Sequence, residues 1–215
     1  VVDNQPIWVA PTQARIHEVV SSDAGDTLGG AGSRTIRVWG LETWESDESF
    51  EDVSMNGLTP VSTIRSYVII HRVEVLTKGA TDVNIGKITV TATVDGTVTA
   101  QINVGVGQTL MGIYGIPRGS TGFLTHLYFS FDGMSLIPKR INHRLLMNPE
   151  PDVELLNFLT KFTGDLSTSG GTFTPHDVRP LRPLEGPCIL KLQGEGSFGS
   201  SDISGGFNLF VVGEQ

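Results

Sequence analysis

The chain has 215 residues, with 23 acids against 15 bases for a formal charge of −8, and one cysteine. That acidic average surface repels phosphate backbones, so direct nucleic-acid binding is not expected. A single thiol permits no intrachain disulfide, and no run approaches the roughly eighteen apolar residues of a membrane-spanning helix.

Hydrophobic content of 39% supplies a core, while the 26 glycines follow no three-residue period and belong to turns and bulges rather than a fibre. The chain starts at Val1 with no signal-peptide pattern, so an initiator or a longer leader is expected to precede it.

Residues 1–13 (VVDNQPIWVAPTQ) contain two prolines and no sustained period, yet Ile7, Trp8 and Val9 need cover. They read as an extended N-terminal arm lying on its own domain or on a neighbouring subunit, with 14–215 as a single domain. ARIHEVV (14–20) is the first expected strand, followed by SSDAGDTLGGAGS (21–33). Gly25, Gly29, Gly30 and Gly32 superficially suit a phosphate cradle, but no Gly-Lys-Ser/Thr ending or helix follows, and a long hairpin loop is expected.

RTIRVWGL (34–41) and DESFEDVSM (47–55) come next, with alternation placing Ile36 and Val38 on one face. Asn56-Gly57 marks a tight turn. TPVSTIRSYVIIHRVEVLT (59–77) then reads as one long strand, or two separated by a bulge near Tyr67.

KITVTATV (87–94), the turn Asp95-Gly96 and TVTAQINV (97–104) form the strongest hairpin signal in the chain. QTLMGIYGI (108–116), the turn PRGST (117–121) and GFLTHLYFSF (122–131) extend it into an expected antiparallel meander. Farther on, KRINHRLLM (139–147) and ELLNFLTKF (154–162) read as strands, the latter also permitting a short helix. GDLSTSGG (164–171) and TPHDVRPLRP (174–183) look like loops, because Pro180 and Pro183 interrupt a sheet. EGPCILKLQGEG (185–196) and SGGFNLFVVG (204–213) are expected as a closing pair of strands that ties the C-terminus into the sheet.

Many short strands without strand–helix–strand spacing predict an all-β fold, an antiparallel β-sandwich with jelly-roll topology. A lone sheet would leave several hundred Å² of apolar face wet, forfeiting on the order of 10 kcal/mol, so a second sheet or another subunit must cover it.

Candidate chemistry is sparse. His17, His71, His126, His143 and His176 show no metal-binding spacing, no serine lies in a nucleophile elbow, and Cys188 reads as a small apolar filler. Neither a catalytic residue nor a cofactor is expected. The acids Glu42, Glu45, Asp47, Glu48, Glu51 and Asp52 read as a solvated edge, with a weak calcium site or a basic partner as alternatives. Lys139, Arg140, His143 and Arg144 form the compact basic group, joined by Arg179 and Arg182 as a candidate contact for an acidic patch on another copy. The candidate interface residues are therefore Ile7, Trp8, Val9, Lys139, Arg140, Arg144, Arg179 and Arg182.

GAGSRTIRVWGLETWESDESFEDVSMNGLTPVST (30–63), continued by SYVIIHRVEVLTKGATDVNIGKITVTA (66–92) and GQTLMGIYGIPRGSTGFLTH (107–126), resembles structural proteins of tailed bacteriophages. The likeness lies in the Gly-x-Arg-Thr strand, the acidic return strand, the Asn-Gly turn and the Pro117–Gly119 turn. It implies a virion component on the outer capsid surface: a jelly-roll decoration or cement protein, homotrimeric, binding the major capsid protein and neither membrane nor nucleic acid. A tail, portal-vertex or fibre-associated protein is the first alternative. The second is a carbohydrate-binding module using Trp8, Trp39 or Trp44 as platforms.

Overall fold

The computed structural model describes residues 8–132, 140–155, 157–167, 173–177, 183–196 and 202–213. Its described residues form fifteen strands in several antiparallel sheets, which establishes the all-β class. The chain divides into two compact units, Val1–Met111 and Gly112–Gln215; the single domain expected over 14–215 spans both.

The first unit contains β1 (His17–Ser21), β2 (Ser33–Leu41), β3 (Ser49–Ser54), β4 (Val61–Ser62), β5 (Ile69–Lys78), β6 (Ile88–Ala92) and β7 (Val98–Ile102). One sheet has the order β4-β1-β6-β7 and the other β3-β2-β5. Alternation decides which side chains leave water: Ile88, Val90 and Ala92 are buried along β6, as are Ile36 and Val38 along β2. Registers Val19↔Val90, Val90↔Ala100, Ile36↔Val53 and Val38↔Val73 stack these apolar positions across neighbouring strands. A single buried cluster draws on both sheets, from Val19 and Ile102 to Ile36, Val53 and Val73. Such cross-strand apolar pairs are the unit of sheet stabilisation.

The β6–β7 hairpin forms as expected, with Gly96 at φ +67°. The loop 21–33 does not close a hairpin, because β1 and β2 lie in different sheets. It crosses between them and is held by the buried Asp26 carboxylate. Asp26 Oδ1 accepts from the N–H groups of Ser33 (2.7 Å) and Ile85 (3.0 Å), and Oδ2 from Ser21 Oγ (2.6 Å) and Gly86 N–H (2.8 Å). Four donors compensate the desolvation of that charge. Gly40 allows the backbones of β2 and β5 to close up: a Cβ there would stand 2.3 Å from the Ile69 carbonyl oxygen.

The described part of the N-terminal arm packs on its own unit. Trp8 is buried and its Nε1–H donates to the Thr99 carbonyl at 3.0 Å. Beyond it, Asp95 at the β6–β7 turn accepts from Thr12 N–H (2.9 Å) and from Arg15 Nε (3.2 Å) and Nη2 (2.9 Å). Of the two readings of 59–77, the structure has two strands, β4 and β5, and Tyr67 bridges Arg15 between them.

The second unit contains β8 (Ile113–Ile116), β9 (Ser120–Asp132), β10 (Arg140–Asn148), β11 (Leu159–Ser167), β12 (Phe173–Asp177), β13 (Pro183–Glu185), β14 (Cys188–Gly196) and β15 (Asp202–Gly213). One sheet runs β11-β10-β14-β8; in the other, β9 pairs with β12 and β13 on one side and β15 on the other. Leu127 and Phe129 of β9, Ile141 and Leu145 of β10 and Leu192 of β14 form a shared cluster, extended by Phe207 and Leu209 of β15.

Three sequence expectations change here. The meander stops at β7, because β8 pairs with β14 and belongs to the second unit. β14 and β15 do not pair with each other; each finds an earlier strand, though β15 does tie the C-terminal segment to β9 along its whole length. The segments 164–171 and 174–183 are not wholly loop, since β11 runs to Ser167 and β12 and β13 occupy 173–177 and 183–185. Residues 154–162 contain the start of β11 rather than a helix. Pro175 and Pro183 are accommodated because β12 and β13 are outer strands of their sheet.

Candidate contact surface

The solvent side of β3-β2-β5 carries side chains that the core does not explain. In β2, Ile36 and Val38 point inward, so Thr35, Arg37 and Trp39 project from the opposite face. Register places Phe50 opposite Trp39 and Asp52 opposite Arg37 on one flank, with Glu74 and Arg72 on the other.

The Trp39 and Phe50 rings lie 4.7 Å apart at a 45° tilt. The Arg37 guanidinium sits over both, 4.1 Å from the Phe50 centroid and 5.7 Å from that of Trp39. It is held there by two parallel bonds to Asp52, Nε to Oδ1 at 2.7 Å and Nη2 to Oδ2 at 2.9 Å. Hydrogen bonding to Arg37 holds the Asp52 carboxyl below the usual range, and the same bond raises Arg37. Both therefore stay charged throughout the neutral range. On the β5 side, Glu74 accepts from Trp39 Nε1 at 3.2 Å and from Arg72 Nη2 at 2.5 Å, and Arg72 also reaches Gln108.

This is a partly open surface whose side chains are held by one another. A forked guanidinium stacked on aromatic rings loses little further freedom on docking, and Trp and Arg carry much of the energy at protein interfaces. Phe50 remains 44% exposed. The face can bury aromatic area against a partner while offering acceptors and donors at its margin.

The candidate residues from sequence are not assembled into one site. Trp8 is interior and Val9 exposed, both in the first unit. Arg144, in the second, is exposed and donates from Nε to Asn142 Oδ1 at 3.2 Å. Arg140 opens β10, with only its backbone described. Ile7, Lys139, Arg179 and Arg182 lie outside the described residues. Trp8 and Trp44 are buried and offer no platform for a sugar ring; Trp39 alone of the three is partly open.

The acidic run leads into and along the edge strand β3, with Glu45, Asp47, Glu48 and Asp52 exposed, and several of its carboxylates are tied to neighbours. Glu42 pairs with Arg65, Glu51 accepts from the N–H groups of Ile64 (2.8 Å) and Arg65 (3.1 Å), and Asp52 holds Arg37. His71 Nδ1 lies 3.5 Å from Glu48, and His143 stacks between Phe129 and Phe162. Cys188 is buried and burial pushes its thiol up to about 12, consistent with a core filler. Among the described residues, no group of three or more His, Cys, Asp or Glu side chains is placed to hold a metal ion, and no helix is long and apolar enough to cross a membrane.

Sequence reasoning overlooked Arg37, Phe50, Arg72 and Glu74. The available signal was parity: with Ile36 and Val38 assigned to the core, Arg37 and Trp39 had to share the outer face. No family model, curated protein or solved structure matches the chain.

Proposed function

We propose that this chain is a non-enzymatic structural protein of a phage virion, a decoration protein on the outer capsid surface that docks its Arg37–Trp39–Phe50 face on the major capsid protein. The observation that carries the docking role is the Arg37 guanidinium, fixed by Asp52 and stacked on two aromatic rings at an accessible sheet face. The virion setting is supported by the likeness of 30–63, 66–92 and 107–126 to tailed-phage structural proteins. The sandwich with jelly-roll wiring belongs to the same proposal, supported by the cluster shared between the four-stranded and three-stranded sheets of the first unit.

Mechanically, a rigid β unit repeated over a shell adds many modest contacts, and their simultaneous engagement raises the avidity of each linked copy. The test is co-sedimentation with particles of the encoding phage from which this protein has been removed. Arg37→Ala and Trp39→Ala should each weaken binding at least about 10-fold, the scale of an interface anchor. Val94→Ser, at a position 87% exposed at the β6–β7 turn of the other sheet, should leave it unchanged. Failure of the unaltered protein to bind, or binding indifferent to both anchor substitutions, would contradict the reading.

A further inference from the structure

The edges of the sheets are treated unequally. β4 has two residues and β8 four. β3 carries Glu51 and Asp52, and Glu51 holds the neighbouring 64–65 backbone; β5 is accompanied by 107–109. Trp8 bonds the β7 backbone, β11 carries Lys161 and Asp165, and β12 and β13 contain Pro175 and Pro183. Short length, charge, proline and covering chain are the recognised means of preventing edge-to-edge association.

Among the described residues, β15 has none of these apart from a register irregularity at Asn208/Leu209. It is twelve residues long, DISGGFNLFVVG, without proline and with Asp202 as its only charged side chain. One edge pairs with β9 from Asp202↔Asp132 to Gly213↔Ser120; among the described residues no strand pairs with the other. Phe207, Leu209 and Val211 pack toward the unit's core, so Phe210 and Val212 project outward, 64% and 44% exposed. Tyr128 lies on that outer face across Gly206, whose added Cβ would meet the Tyr128 hydroxyl at 2.2 Å.

We propose that the free edge of β15 pairs antiparallel with the same edge of a second copy of this chain, with the two-fold axis at Asn208. Three considerations select this occupant. First, the copies each carry −8, and β15 is a long stretch on which that repulsion is nearly absent. Second, antiparallel pairing about Asn208 sets the two Asp202 carboxylates about 40 Å apart, whereas parallel pairing would set like charges side by side. Third, keeping outward residues on one face of the continuous sheet requires even-numbered positions to face even-numbered ones. The Asn208 axis does this and brings Phe210 opposite the partner's Gly206, a glycine lane flanked by the Tyr128 ring. Val212 falls opposite Ser204. An extended backbone ladder thereby gains partners for its outer N–H and C=O groups while Phe210 leaves water.

The pairing closes as a dimer, not as the trimer implied by the phage resemblance, and it is independent of the proposed capsid-docking face. The experiment is sedimentation of the full chain over a concentration series, combined with cysteine cross-linking. The expected species is a reversible dimer, weakened at least 10-fold by Phe210→Glu. Under mild oxidation Asn208→Cys should give disulfide-linked dimers, because the axis brings its two copies within disulfide range. Ser204→Cys should not, since its copies lie about 27 Å apart in this register. Native Cys188 is buried and does not compete. A monomer throughout the series, a trimer, a dimer indifferent to Phe210→Glu, or preferential cross-linking through Ser204→Cys would each overturn the proposal. The cross-linking arm remains decisive if Phe210→Glu fails to fold.

Discussion

His17 makes the first unit sensitive to acid. It begins β1 with its side chain in the interior, and neither ring nitrogen makes a well-formed hydrogen bond. Burial disfavours the imidazolium and lowers its pKa from 6.5 to about 4, against weaker opposing effects of the Arg15 backbone and the Asp95 carboxylate. Above pH 6.5 the ring is neutral whether the unit is folded or unfolded, so the favourable folded contribution is fully present. Between 6.5 and about 4 the unfolded chain takes up a proton that the folded unit refuses, and stability falls. Below about 4 both states are protonated and His17 adds no further loss. Each pH unit in that window is worth about 1.4 kcal/mol, giving roughly 3 kcal/mol in all.

All three tryptophans, Trp8, Trp39 and Trp44, belong to the first unit, so their fluorescence during urea unfolding follows that unit. Stability is measured at pH 7, 6, 5 and 4 for the unaltered chain and for His17→Leu, which retains an apolar buried side chain. The difference between the two should change by about 3 kcal/mol over the series, the variant being the less acid-sensitive. Parallel stability curves from pH 7 to 4 would show that burial of His17 does not make the first unit acid-sensitive.

Two further substitutions test how the sheets are joined. Asp26→Ala leaves the N–H groups of Ser33, Ile85 and Gly86 without their acceptor, and each abandoned buried donor costs about 1–3 kcal/mol. Urea unfolding should show a loss of at least about 3 kcal/mol; a loss below 1 kcal/mol would remove Asp26 from its role as the loop's anchor. Gly40→Ala forces a methyl toward the Ile69 carbonyl at 2.3 Å and should cost on the order of 1–3 kcal/mol in thermal or urea unfolding; unchanged stability would show that β2 and β5 separate freely there.

What could be read from sequence was local. β6 and β7 announce themselves because strict alternation flanks Asp95-Gly96, and both the strands and their turn form. Ile36 and Val38 were legible as core positions for the same reason. Long-range choices were not legible. The same two-residue period that makes β8 and β14 strands does not say which strand each will pair with. The 21–33 segment reads as a hairpin loop, yet it crosses between sheets because Asp26 is buried by partners at Ile85 and Gly86, about sixty positions along. The contact surface was half visible: parity exposes Arg37 and Trp39, but the Phe50 and Asp52 sides appear only once the β2–β3 register is fixed. Trp8 read as an arm residue covered by its own domain or by a neighbouring subunit; sequence did not choose, and the structure packs it on its own unit, bonded to Thr99.

The role proposed for this protein has its Arg37–Trp39–Phe50 face docked on a capsid shell. A reconstruction of the intact particle of the encoding phage tests it most directly. The expected result is copies distributed over the whole shell, with the outer face of β3-β2-β5 seated on the major capsid protein and Arg37 within the contact. Copies confined to one vertex or to the tail, or a shell-bound protein with that face turned to solvent, would contradict it.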